Sequence, residues 1–90
     1  MKTIYKYTLY GYRNEIAMPL GSTILSAHSQ DDNIRIWALV DDTAKEENKV
    51  IYVLPTGVGY PDCTCRFIDT VTFNSNSLVF HVFEEVEDEA

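Results

Sequence analysis

Apolar and polar positions alternate along much of this chain with a period of two, the spacing of a strand with one face buried. Between Lys2 and Tyr10, the residues Tyr5, Tyr7 and Leu9 fall on one face and Lys2, Lys6 and Thr8 on the other, which predicts a half-buried strand. Gly11 and Asn14 end it. Met18-Pro19-Leu20-Gly21 reads as a turn, because Pro19 fixes φ and Gly21 admits positive φ. A second strand is expected over Thr23–Ser29, then a polar hairpin turn at Gln30-Asp31-Asp32-Asn33, then a third strand over Ile34–Val40. There Ile34, Ile36, Ala38 and Val40 share one face while Trp37 and Leu39 occupy the other. Apolar residues on both faces predict a central strand covered on both sides.

Asp41–Lys49 holds few apolar residues and is the one non-β stretch of any length. Thr43 and Glu46 have the spacing of a capping box, so one or two helical turns, or a loop, are expected. Val50–Leu54 is a short apolar strand. Pro55–Asp62 carries two prolines and two glycines and is the conspicuous loop. Cys63–Phe73 is long enough for a strand to need a bend or bulge. Asn74-Ser75-Asn76-Ser77 is a hairpin turn, and Leu78–Phe83 is the sixth strand, apolar on both faces apart from His81. The pattern predicts a mainly β domain over residues 1–83, a small antiparallel barrel or sandwich of about six strands with at most one short helix. An acidic tail over 84–90 follows. The alternative is an α+β fold with one helix packed on a curved sheet.

Ninety residues suit one domain with a single core. The formal net charge of -7 opposes long-range attraction to DNA, RNA or an anionic bilayer and favours a basic protein surface as partner. Much of that charge is gathered in Glu84, Glu85, Glu87, Asp88 and Glu89. The basic opening residues are not followed by an apolar run, and no stretch nears the roughly 20 apolar residues of a membrane span. Two closely spaced cysteines do not make a secreted disulfide framework. A cytosolic protein with no membrane partner is expected.

Cys63 and Cys65 fall on the same face of a strand. Two sulfurs begin a metal site, but zinc normally takes four ligands at wider spacing, and His28 and His81 alone are left to complete the set. The plain reading is two small buried hydrophobes, so no metal and no cofactor is expected. His81, between Phe80 and Val82, reads as a core-edge histidine with one satisfied ring nitrogen. Asp31-Asp32 and Asp41-Asp42 lie where turns and strand ends favour Asp, without the spacing of a calcium loop. No nucleophile–base signature is present, and catalysis is not expected. The loop after Pro55 is the better candidate. Gly57 and Gly59 let backbone N–H groups point at an anion, Thr56 can bond a phosphate, Tyr60 can stack on a base and Arg66 supplies charge. It is neither a P-loop nor a dinucleotide fingerprint, and its plain reading is a tight strand connection. Trp37, a possible stacking platform, and Arg35 complete the candidate ligand-binding set.

Several segments together resemble a group of short, functionally uncharacterised proteins of tailed bacteriophages and prophages. They are Lys2-Thr3-Ile4-Tyr5-Lys6-Tyr7, the stretch from Met18-Pro19-Leu20-Gly21 through Ile24-Leu25 to Ile36-Trp37-Ala38-Leu39-Val40-Asp41, Thr56-Gly57, and Phe80-His81-Val82-Phe83-Glu84. The residues from Val58 to Asp62 depart from that group. The resemblance implies an accessory protein acting in the host bacterial cytosol by binding. Three readings follow. One is an anti-defence sponge for a cyclic or ADP-ribose-type nucleotide signal, enclosed between subunits of a homo-oligomer. Another is an acidic, nucleic-acid-mimicking inhibitor of a host defence protein. The third is a phage accessory or structural protein without a defence role.

Overall fold

Residues 1–87, which the computed structural model describes, form seven antiparallel strands joined by turns and one longer loop. The strands are β1 (Lys2–Leu9), β2 (Arg13–Pro19), β3 (Thr23–Gln30), β4 (Asn33–Asp41), β5 (Glu46–Pro55), β6 (Cys65–Phe73) and β7 (Leu78–Glu85). Sheet A has the order β1-β4-β3 and sheet B the order β2-β5-β7-β6. The protein is a β-sandwich. Its Cα atoms span 40 × 35 × 16 Å, and the short dimension is what two stacked sheets about 10 Å apart require.

The alternation read along the chain fills the space between the sheets. From sheet A come Leu9, Ile24, Ala27, Ile34, Ile36, Ala38 and Val40, and from sheet B Met18, Ile51, Val53, Val71 and Val82. Met18, Ile36, Ile51, Val40 and Val82 are fully buried. β4 is the central strand of sheet A, but one face of it is covered rather than two. Leu39 is 38% exposed and Trp37 half-buried, because among the described residues no layer lies outside sheet A.

Two expectations fail between Arg13 and Lys49. The first is that β1 is followed by irregular chain: β2 occupies Arg13–Pro19 and pairs with β5 from Arg13↔Tyr52 to Pro19↔Glu46. Pro19 is tolerated because β2 is an edge strand, where a missing N–H breaks no central ladder. The turn is at Leu20–Gly21, with Gly21 at φ +81° and the Ser22 N–H on the Pro19 carbonyl at 3.2 Å. Asn14 does not end a strand; its buried side chain accepts from the Tyr10 N–H at 2.7 Å and donates to the Ile51 carbonyl at 3.3 Å. The second is that the non-β stretch runs from Asp41 to Lys49: of the helical turns or loop expected there the structure has a turn, and it is shorter. The Asp41 carboxylate accepts from both the Thr43 N–H (3.0 Å) and the Thr43 hydroxyl (2.6 Å), which closes a turn, and β5 begins at Glu46. Among the described residues there is no helix, and none is long and apolar enough to cross a membrane.

The hairpin turns fall where the polar clusters put them. Asp31 and Asp32 both have positive φ (53° and 63°), the conformation of a type I′ hairpin. Asn74, Ser75 and Asn76 turn β6 into β7. The expected bulge in β6 lies between Phe67 and Asp69, and a second interrupts β3 between Ile24 and Ser26. They lie on facing edge strands of the two sheets. The Asp69 carboxylate accepts from the Ala27 N–H at 3.2 Å and fastens that side of the sandwich. β7 continues past Phe83 through Glu84 and Glu85, so the first residues of the expected tail belong to sheet B. Asp88 and Glu89 of that tail lie outside the described residues.

Candidate functional site: an acidic cleft in sheet B

β5 is longer than the strand beside it. It pairs with β2 from Glu46 to Tyr52, but β7 reaches only Ile51–Pro55 of its other edge. Beyond Glu84 the pairing with β5 stops, while on its other side the chain stays beside β6, the Val86 N–H bonding to the Thr64 carbonyl at 2.9 Å. A cleft of about 1170 Å³ opens between Glu47–Val50 and the Tyr60–Thr64 segment. The carboxylates lining it are Glu47, Asp62, Glu84, Glu85 and Glu87, against two cations, Lys49 and Arg66.

Glu84 organises this charge. It continues the inward alternation of Phe80 and Val82 on β7 and sits opposite Ile51 on one side and Arg66 on the other. Its side chain is 6% exposed. A carboxylate so buried is costly unless paired and hydrogen-bonded. Lys49 Nζ lies 3.3 Å from Oε2, while Arg66 donates from Nε at 3.0 Å and also from Nη2 to Oε1. Both cations of the cleft are thus already engaged. Lys49 additionally lies 3.8 Å from Glu47.

Residues predicted as an anion-binding set do not converge. Tyr60 and Arg66 border the cleft. Tyr60 packs edge-on against Phe83 at 5.3 Å between ring centroids. Thr56, Gly57 and Gly59 lie in the loop laid along sheet B. The Thr56 N–H donates to the Val79 carbonyl at 3.3 Å, and its hydroxyl lies 2.8 Å from His81 Nε2. Gly57, at φ +94°, completes a turn in which the Val58 N–H reaches the Pro55 carbonyl. The Gly59 carbonyl accepts the Tyr12 hydroxyl at 3.3 Å. Arg35 and Trp37 are on β4, in the other sheet. Arg35 lies 3.7 Å from Asp31, and the Trp37 ring lies 5.8 Å from His28. The loop is fastened to the sheet at Thr56 and, through the Tyr12 hydroxyl, at Gly59.

His81 has both ring nitrogens partnered rather than one, since Nδ1 lies 3.2 Å from the Thr70 hydroxyl. The ring thus ties the loop at Thr56 to β6 at Thr70. Cys63 and Cys65 are half-buried, not core residues, and their sulfurs are 3.3 Å apart. Burial first, then hydrogen bonding with Cys65 and the bond the thiol donates to Glu85, push the Cys63 thiol up to about 11. Burial and the nearby Cys65 raise the Tyr60 hydroxyl as well. Among the described residues no group of three or more His, Cys, Asp or Glu side chains is placed to hold a metal ion.

Fold and site together define a small two-sheet antiparallel sandwich with an acidic surface cleft. The domain-of-unknown-function family DUF7352 matches the chain over residues 1–90, and the protein belongs to that family. No curated protein and no solved structure matches it.

Proposed function

We propose that the protein acts by binding, without catalysis, and that its cleft receives a cationic segment of a protein partner. The observation that carries this reading is the double engagement of Glu84. Lys49 and Arg66 both pair with that one carboxylate, Lys49 also lies beside Glu47, and with five carboxylates against two cations the cleft keeps a negative excess for an incoming ligand. Lysine or arginine side chains complement such a surface. An anionic nucleotide would have to draw Arg66 away from Glu84 among four further carboxylates, so the sponge reading has the weaker support. The cleft is complete within one chain and calls for no second subunit. The resemblance to short tailed-phage proteins directs the search for the partner to host proteins with a basic groove, among them defence nucleases.

The test is binding of an oligolysine peptide and of ADP-ribose, read by thermal shift and by titration calorimetry at two salt concentrations. The peptide is expected to bind and to weaken as salt rises. The triple variant E47Q/E85Q/E87Q should weaken it about tenfold, at about 0.5 kcal/mol per partly exposed charge. The triple variant D31N/D32N/D42N removes as much charge outside the cleft and should leave binding unchanged. Equal losses in the two variants would reduce the effect to net charge and remove the cleft from the account. Stabilisation by ADP-ribose and not by the peptide would restore the sponge reading.

A further inference from the structure

The chain has two cysteines; the fold places Cys63 in the wall of the cleft and Cys65 beside it at the start of β6. Their sulfurs are 3.3 Å apart. Residues two apart on an extended strand rise by about 6.6 Å, close to the upper end of the Cα separations that disulfides span. Here the chain is not extended throughout, since it bends at Asp62–Cys63 before β6 begins at Cys65. The residue between them is pinned, because the Thr64 carbonyl accepts the Val86 N–H. Both side chains are partly accessible, so a small reagent can reach them.

We propose that Cys63 and Cys65 are a dithiol modification site, closed to an intrachain disulfide by exchange with a low-molecular-weight disulfide. One cysteine thiolate attacks a sulfur of the reagent. The reagent's S–S bond breaks, one small thiol leaves with a proton, and a mixed disulfide forms. The second cysteine attacks the protein sulfur of that bond and releases the second small thiol. The two protein thiols give up two electrons and two protons, and one small disulfide becomes two thiols. Closing the pair shortens the sulfur separation by about 1.3 Å, a shift a bend can absorb without unpairing β6. Burial holds the Cys63 proton on, so Cys63 is a poor attacking nucleophile at neutral pH. The inference does not depend on what the cleft binds.

Intact-mass analysis and thiol titration of the whole folded protein after equilibration with glutathione disulfide test this. The expected product has lost two hydrogens and both titratable thiols, carries no glutathione and stays monomeric on a non-reducing gel. C63S and C65S each keep one sulfur and should trap a single glutathione that the wild-type protein sheds. Near-ultraviolet circular dichroism of the two variants checks that they remain folded. Wild-type protein that retains glutathione, forms cross-linked dimers, or keeps both thiols under conditions that modify C63S and C65S would overturn the proposal.

Discussion

Glu84 is the residue on which the charge of sheet B turns, and the order in which its ion triad is dismantled should matter. E84Q leaves two cations behind, but Lys49 is 20% and Arg66 49% exposed, so both can recover water. The loss should be about 1–2 kcal/mol in urea unfolding, below the 3–5 kcal/mol typical of breaking a deeply buried pair. The double variant K49M/R66M leaves a carboxylate that is 6% exposed without a partner. It should cost more than E84Q, about 3 kcal/mol or above. The reverse order would show that Glu84 gains its solvation elsewhere. Nothing local in the sequence marks this residue, since Glu84 stands at the head of a run of acids that reads as a solvated tail. Its partners are 18 and 35 positions away, and register alone brings them to it. His81 was obscure for the same reason, because its two threonines come from the loop and from a neighbouring strand.

At the level of elements, period-two alternation and polar turn clusters revealed β1, β3, β4, β6 and β7, and the length of β6 revealed its bulge. β2 was hidden by Pro19, which signals a turn in general and is harmless at the end of an edge strand. The helical alternative for Asp41–Lys49 came from a capping-box spacing in a segment without an apolar face, where Asp41 rather than Thr43 does the capping and a turn forms. The turns carry predictions of their own. Asp32, at φ +63°, occupies the position where a type I′ hairpin favours glycine. D32G should therefore stabilise the protein by up to about 1 kcal/mol, the relief of left-handed strain less the greater unfolded-chain entropy of glycine, read as a higher urea midpoint with unchanged slope. Gly57, at φ +94° in open space, is the opposite case. G57A should destabilise by about 1–2 kcal/mol through backbone strain alone.

For the molecule as a whole, the groups with displaced acidities bound the pH range of stability. Cys63 keeps its proton to about 11 in the folded protein, while the same thiol in the unfolded chain ionises from its ordinary 9.0. The tyrosines Tyr7 and Tyr60 are raised by burial above 10.0. Each group contributes stability that is fully present below its unfolded value and is lost as pH climbs through the folded one. The melting temperature should fall as pH rises from 9 toward 11, and C63S should flatten the first part of that fall. On the acid side, hydrogen bonds from Thr43 hold Asp41 below its ordinary 3.8. Stability should decline as pH drops through that value, and T43V should lessen the decline. A melting temperature indifferent to alkali would contradict the burial assigned to these side chains.

The unequal flanking of β5 should also be visible in time. At Ile51 and Tyr52 the strand has a neighbour on each side, and the Val53 N–H is held by the Tyr12 carbonyl at 2.9 Å. Amides there can trade hydrogen for deuterium only when the whole sandwich opens, so they should be among the slowest in the chain. From Glu46 to Val50 one neighbour is missing, and alternate amides point away from β2 toward solvent in the cleft. A single strand should thus show a uniform slow clock on one half and a two-speed pattern on the other, with the change at Ile51. A partner lodged against Glu47–Val50 would announce itself by slowing the fast set and no other amides of that strand.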